Sequence, residues 1–407
     1  MELSFTVIGS AGKTATAKAL QQLAALAGAQ ASVRVLGEAE MLLLSRAIAA
    51  GTVKNSELNR VVLTGIYEEH SLTGIELANC FASALSEGVA TAATVQVDTP
   101  AAAAVAARSG VPASRLASEY GAAADWHLAI TSNTLARTSF VLQGPDNAYF
   151  RGRIAGCSAQ LVNSVALALV ALHDAGVSLT ELERATNRGS LDLDLGVNSA
   201  QRVIGADPAA AAEPGGTASV PTARTVVFDS ACSAPRLLRI IGELETVQQD
   251  PPRIVLDVNR LAGSELTGER SHLQLLGAIL AKHSGGFFLV GGAAGSAAGS
   301  AADAETGADA GAGSPAAGKT AAIAETILDG AGQVNGGAAG VLTDCGEDAL
   351  AQAIKQSSPE TAILYAGVNN PETVDELTRA ASQTALAGRT ELAGKTELAG
   401  QTGQAEA

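Results

Sequence analysis

Near the amino terminus, Gly9-Ser10-Ala11-Gly12-Lys13-Thr14 sits between an apolar run, Phe5–Ile8, and an alanine-rich stretch from Ala17 to Ala27. A strand that breaks into a glycine-bounded turn and then opens a helix suits a phosphate group. The glycines let the backbone curl until successive N–H groups point at phosphate oxygens, and the helix N-terminus adds positive potential. Lys13 can reach the outer phosphates of a nucleoside triphosphate, and the Thr14 hydroxyl can ligate Mg²⁺. Gly9, Ser10, Ala11, Gly12, Lys13 and Thr14 are therefore the candidate nucleotide-phosphate loop. The general pattern has a further glycine five positions before Gly12, where Val7 stands. A merely structural strand–turn–helix is the alternative.

Three other groups can carry chemistry. In Arg60-Val61-Val62-Leu63-Thr64-Gly65-Ile66-Tyr67-Glu68-Glu69-His70, a buried strand delivers a hydroxyl, an acid pair and a histidine at its C-terminal end. Open α/β sheets place ligands at that edge, so His70 is a candidate metal or phosphate partner, with a solvated loop histidine as the alternative. In Gly156-Cys157-Ser158-Ala159-Gln160-Leu161-Val162-Asn163, Asn163 can donate to and accept from an adenine edge, or it is a polar residue at a helix start. In Leu256-Asp257-Val258-Asn259-Arg260, Asp257 can accept from a ribose hydroxyl and Arg260 can pair with a phosphate. An internal salt bridge is as good a reading of that last pair.

These residues need a scaffold that brings strand ends together. Strand patterns at Phe5–Ile8, Arg60–Thr64, Ala93–Val97, His127–Ile130 and Thr138–Leu142 alternate with alanine-rich helical stretches such as Glu40–Ala50 and Glu76–Leu85. Alternation of that kind implies a mainly parallel, doubly wound α/β sheet over residues 1–205. Helices are expected from Cys157 to Asp174 and from Ser178 to Thr186, the latter capped by Ser178 or Thr180. The Pro-, Gly- and Ala-rich stretch 206–222 reads as a linker. A smaller Rossmann-like α/β domain is expected over 223–383. Its strands fall at Arg224–Phe228, Arg253–Val258, Gly286–Val290, Gly340–Leu342 and Thr361–Tyr365. Its helices fall at Pro235–Leu244, Ser271–Lys282, Ala321–Leu328, Gly346–Gln356 and Pro371–Ala381. Residues 291–318 are small, acidic and of low complexity, and are expected as a disordered insertion. The tail 384–407 repeats a six-residue unit that matches neither a heptad nor a helical repeat, and is expected as a degenerate, disordered tail.

Composition narrows the class. The chain has 407 residues, a formal net charge of −15 and 3% aromatic residues. That charge argues against nucleic acid or an anionic membrane surface as the main partner. A bound nucleotide must instead be held by local amides and a few basic groups. Cys80, Cys157, Cys232 and Cys345 are scattered without a C-x-x-C pair, which reads as reduced thiols. No charged-then-apolar leader and no long apolar run is visible, so a soluble cytoplasmic protein is expected.

Taken in order, these segments resemble the Mur ligase superfamily, which includes the cell-wall peptide ligases, folylpolyglutamate synthase and the poly-γ-glutamate and cyanophycin synthetases. Gly9-x-x-Gly12-Lys13-Thr14 resembles its nucleotide loop. Thr64-Gly65-Ile66 followed by Glu69-His70 resembles its Thr-Asn-Ile…Asp-His segment. Gly156…Asn163-Ser164-Val165-Ala166-Leu167 resembles its Gly-x-His-Asn-x-x-Asn-Ala stretch, and Asp229-Ser230-Ala231-Cys232-Ser233 resembles the Asp-Tyr-Ala-His-Asn that opens its C-terminal domain. Asp257…Arg260 resembles its later Asp-Arg element. The ordered set covers Phe5 to Ala380.

There are departures as well. Gly65 stands for the family's Asn, Glu69 for its Asp, and Cys232-Ser233 for its His-Asn. Leu77–Leu85 holds no lysine that could be carbamylated, and with the loop this near residue 1 the family's small domain that binds a UDP-sugar precursor is not expected. Glu40, with Ser45 behind it, is the best counterpart of the family's magnesium-binding Glu. The resemblance implies ligation of a small-molecule carboxylate to an amino acid or amine through an acyl phosphate, with ATP and Mg²⁺ as cofactors. Lys13 and His70 would be catalytic, and Thr14, Glu40 and His70 would hold metal. Asn163, Asp257 and Arg260 would hold the nucleoside, and cell-wall synthesis proteins would be partners. A degenerate nucleotide-binding relative with a regulatory or scaffolding role is the alternative.

Overall fold

The computed structural model describes residues 2–53, 58–66, 74–118, 123–186, 189–195, 200–204, 224–230, 233–262, 270–291, 315–358, 360–368 and 370–383. The chain divides into two compact units, Met1–Asn198 and Ser199–Ala407.

The first unit runs β1 (Glu2–Ile8), α1 (Lys13–Leu26), β2 (Gln30–Val35), α2 (Glu38–Ala49), β3 (Arg60–Leu63), α3 (Gly74–Ala84), β4 (Ala92–Gln96), α4 (Pro100–Ala107) and β5 (Ala113–Ala117). It continues with β6 (Trp126–Asn133), β7 (Arg137–Gln143), β8 (Tyr149–Ala155), α5 (Ala159–Asp174), α6 (Leu179–Ala185) and β9 (Ser190–Leu191). One sheet holds all nine strands in the order β2-β1-β3-β4-β5-β6-β7-β8-β9. Pairing is parallel from β2 through β6, antiparallel through β7 and β8, and parallel again from β8 to β9. Successive side chains of a strand point to opposite faces, and the two faces carry separate cores. Phe5, Val7 and Val62 pack with Leu20 and Leu23 of α1 and with α5. Ile8, Val61 and Leu63 pack with Leu77 and Phe81 of α3 and Val105 of α4. Helices thus cover both faces, as the alternating pattern predicts. A helix buried on every side needs apolar residues all round. Every residue of α5 from Val165 to Leu172 is apolar and buried.

The second unit runs β10 (Ala200–Ile204), β11 (Arg224–Asp229), α7 (Ala234–Glu245), β12 (Arg253–Asp257), α8 (Val258–Ala262), α9 (Arg270–His283), β13 (Phe287–Val290), α10 (Pro315–Gly332), β14 (Gly340–Thr343), α11 (Gly346–Gln356) and β15 (Ile363–Ala366). A further helix covers residues 371–383. The sheet order is β10-β11-β15-β12-β13-β14, parallel except for β10 against β11.

Several boundaries differ from the sequence reading. Strand 200–204 pairs with β11, so the first unit ends at Asn198 rather than at 205. Val258 opens a helix rather than closing a strand, because the Asp257 carboxylate accepts the Asn259 N–H at 3.0 Å and turns the chain. The segment 291–318 is not wholly irregular: α10 begins inside it at Pro315. Residues 292–314, the expected linker 206–222 and the tail 384–407 lie outside the described residues. Among the described residues, no helix is long and apolar enough to cross a membrane.

Candidate functional site

In the first sheet, the chain leaves β1 toward β2 on one side and returns to β3 on the other. A reversal of strand order opens a crevice at the C-terminal strand ends, where doubly wound sheets hold ligands. The Gly9–Thr14 turn lies at that point, between the ends of β1 and β3. Two backbone angles shape it: Gly9 has φ +134° and Gly12 φ +79°, both in the region that favours glycine. Gly12 also serves as the N-cap of α1, with no side-chain cap in front of the helix N–H groups.

The end of β3 locks the turn from below. Thr64 N–H donates to the Ile8 carbonyl at 2.9 Å, Ser10 N–H donates to Gly65 O at 3.1 Å, and the buried Thr64 hydroxyl donates to Ile8 O at 3.3 Å. A Cβ on Gly9 would lie 2.1 Å from Thr64 Oγ1, so only glycine fits. α5 closes the other side: a Cβ on Gly12 would meet Ser164 Oγ at 3.1 Å and Gln160 Nε2 at 3.4 Å. The Lys13 ammonium folds back over the turn, donating to Gly9 O at 2.6 Å and Ser10 O at 3.3 Å. The Thr14 residue is exposed at the first turn of α1, and Ala11 is buried. A compact cationic turn, with no room for a side chain at Gly9 and a tight fit at positive φ at Gly12, fits a phosphate chain with Lys13 beside it.

α5 is itself anchored at this edge. Ser158 caps it by accepting from Leu161 N–H, and the Thr138 hydroxyl donates to Gly156 O at 2.6 Å while Asn133 Nδ2 donates to Cys157 O. Asn163 lies half-buried in the first turns of the helix, next to Ser164. Glu40 sits in the first turn of α2, where its carboxylate accepts the N–H of the N-cap residue Gly37 at 2.7 Å, the N3 half of a capping box. His70 and Glu69 lie outside the described residues. Gln160 and Ser164 touch the loop from about 150 positions away, and nothing in their local sequence signals that contact.

In the second unit, Asp229 and Asp257 end neighbouring parts of the parallel sheet at its C-terminal edge. β15 runs between their strands, and Gly367, at φ +92°, passes so close to Asp257 that a Cβ there would lie 3.0 Å from Asp257 O. The N–H groups of Gly367 and Val368 donate to Asp229 O at 2.8 and 3.0 Å. Arg236 Nη2 lies 4.0 Å from the buried Asp229 carboxylate and donates to Ser230 Oγ at 3.3 Å. Asp257 Oδ1 faces the Asn259 N–H, and Arg260 follows within α8. Beneath them, burial pushes the Tyr365 phenol above its ordinary range, helped by the negative charges of Asp257, Cys345 and Glu347.

The fold and the loop define a class: this is the fold of the Mur ligases and of folylpolyglutamate synthase. The MurF ligase of Thermotoga maritima, solved with ADP, superposes with a TM-score of 0.59 at 13% identity, over 96% of this chain and 81% of that one. A pseudomurein peptide ligase type C from Methanothermus fervidus gives 0.57 at 12%, over 93% and 78%. FolC of E. coli, in complex with DHPP and ADP, gives 0.53 at 14%, over 95% and 89%. In sequence, 86 residues are 34% identical to the UDP-N-acetylmuramyl-tripeptide synthetase of Leifsonia xyli subsp. xyli (strain CTCB07), covering 21% of this chain and 17% of that relative. No family model matches the chain.

Proposed function

We propose that this protein is an ATP-dependent ligase that joins a small-molecule carboxylate to an amino acid or other amine in the cytoplasm. Its chemistry would be of the cell-wall or poly-amino-acid type and would run through an acyl phosphate. The observation that carries the proposal is the glycine-walled Gly9–Lys13 turn at the β1/β3 crevice of a Mur ligase fold. ATP, when bound, would supply the phosphoryl group that activates the carboxylate, and Mg²⁺ would neutralise phosphate charge. The backbone N–H groups of Gly9, Ala11 and Gly12 would orient the phosphates, that of Ser10 being engaged by Gly65 O. Lys13, now on the carbonyls of Gly9 and Ser10, would neutralise charge on the γ-phosphate, where positioning and electrostatics do most of the catalytic work. Thr14, His70 and Glu40 are the residues that would hold Mg²⁺. Asn163 in the first unit and Asp257 and Arg260 in the second are the proposed nucleoside contacts, and cell-wall synthesis proteins are the proposed partners.

A second reading, a nucleotide-binding protein without ligase activity, is supported by the engagement of Glu40 in its own helix cap and by Gly65 at the position of the family's Asn. The test is ADP release from Mg-ATP across a panel of carboxylates and amino-acid acceptors. Acceptor-dependent ADP release supports the ligase. Nucleotide binding with no turnover on any pair sinks it in favour of the second reading.

A further inference from the structure

The outer face of β6, β7 and β8 differs in charge from the rest of the molecule. The chain carries 41 acidic against 26 basic residues, yet Trp126–Asn133, Arg137–Gln143 and Tyr149–Ala155 contain three arginines, one histidine and no Asp or Glu. Strand alternation sorts them. Phe140, Leu142, Phe150 and Ile154 point inward and share a core with α5 and α6. The residues between them point outward, so Arg137, Arg151 and Arg153 all stand on the opposite face.

The register fixes how these arginines are spaced. Arg153 faces Ser139 and Arg137 faces Ala155, so Arg137 and Arg153 are diagonal neighbours across the β7–β8 pair. Such diagonal positions lie roughly 7–8 Å apart. Arg151 and Arg153 are two residues apart on one strand, about 6.8 Å. The three cations therefore form an oblique row with a step of about 7 Å. Arg151 is held in place: its guanidinium lies 5.9 Å from the centre of the Tyr149 ring, and Nη2 donates to the Tyr149 hydroxyl at 3.2 Å. None of the three makes an ion pair with a described carboxylate. Arg137, Arg151 and Tyr149 are exposed, and Arg153 is half-exposed.

We propose that this arginine row docks an acidic peptide in extended conformation, with carboxylates on alternate residues. Alternate side chains of an extended chain recur every 6.6–6.8 Å or so, which is the step of the row. Guanidinium groups suit this partner because each can take a carboxylate through two parallel N–H···O bonds. The three strands supply no carboxylate of their own; Glu183 of α6 acts on Arg151 electrostatically without forming an ion pair with it, and the peptide's carboxylates would supply the rest. This inference is independent of the nucleotide loop.

The test uses the full chain and a fluorescent ten-residue peptide of alternating Glu and Thr, read by anisotropy at about 50 mM salt, where exposed charges are weakly screened. The intact chain is expected to bind it. The triple variant Arg137→Gln, Arg151→Gln, Arg153→Gln should bind about tenfold more weakly or worse, and single variants roughly two- to fivefold more weakly, as exposed pairs of modest strength predict. Circular dichroism and Tm of the triple variant, unchanged, would show that the face and not the fold was altered. A peptide with the same glutamates in one block should bind at least about threefold more weakly, because its carboxylates miss the step. No binding by the intact chain overturns the proposal, as does undiminished binding by a folded triple variant. Equal binding of the block peptide, a DNA duplex or phosphatidylserine vesicles overturns it too, since the attraction would then be to any polyanion.

Discussion

Gly9→Ala tests the architecture of the loop most severely. The added methyl would sit 2.1 Å from Thr64 Oγ1, more than 1 Å inside ordinary van der Waals contact of about 3.5 Å. Thr64 is buried and its hydroxyl is tied to Ile8 O, so turning it away sacrifices a hydrogen bond worth about 0.5–1.5 kcal/mol. An alanine at φ +134° adds about 1–3 kcal/mol of backbone strain. The sum is about 2–4 kcal/mol, which for a unit of this size lowers Tm by on the order of 5–15 °C. If the loop instead moves to relieve the strain, the same free energy is lost from nucleotide affinity. The assay is therefore paired: a thermal melt without ligand and calorimetric titration with Mg-ATP. In a Thr64→Ala background, which has already lost that hydrogen bond, Gly9→Ala keeps only the φ strain, so its cost should be about 1 kcal/mol smaller than in the wild-type background. An unchanged Tm together with unchanged ATP affinity in Gly9→Ala would refute the reasoning.

Two further substitutions separate packing and charge from the site. Gly144→Ala places a methyl 2.5 Å from the buried Trp126 ring at an ordinary φ of −131°, so overpacking alone should cost about 1–3 kcal/mol. Chemical denaturation should show that loss while nucleotide affinity stays constant. Asp174 is held above its ordinary value of 3.8 chiefly by burial, against the lowering effect of bonds from Ser114 and Thr94 and of His173. The native state then keeps its proton longer than the unfolded chain, so stability falls as pH rises from 3.8 through the raised native value. Asp174→Asn should flatten that slope in urea melts taken between about pH 4 and 7; a slope identical to wild type would contradict the assignment.

How far the sequence carried the fold can be read from particular elements. The Gly9–Thr14 turn, its flanking strand and helix, and α11 (Gly346–Gln356) follow the local pattern, because glycine and capping chemistry act over a few residues. β8 was missed although its exposure alternates cleanly: Gly152 occupies an inward position where an apolar residue would signal a strand. Glycine is there because the Phe140 ring fills the space: a Cβ would lie 2.3 Å from its Cζ. β2 was missed because an edge strand buries little, and most of Gln30–Val35 is exposed. Site residues followed the same division. Lys13 and Thr14 announce themselves by spacing, whereas Gln160 and Ser164 reach Gly12 only through the packing of α5 on α1. Capping of α2 by Glu40 could have been read from its position three residues after Gly37.

The most direct measurement of the central claim is Mg-ATP binding by isothermal titration to the intact chain and to Lys13→Ala. The account predicts saturable binding to the intact protein at a single site and a loss of at least about tenfold in affinity in the variant, since a charge-assisted contact to phosphate is worth about 1.5–3 kcal/mol. Equal affinity in the two proteins, or no heat of binding in either, would contradict it.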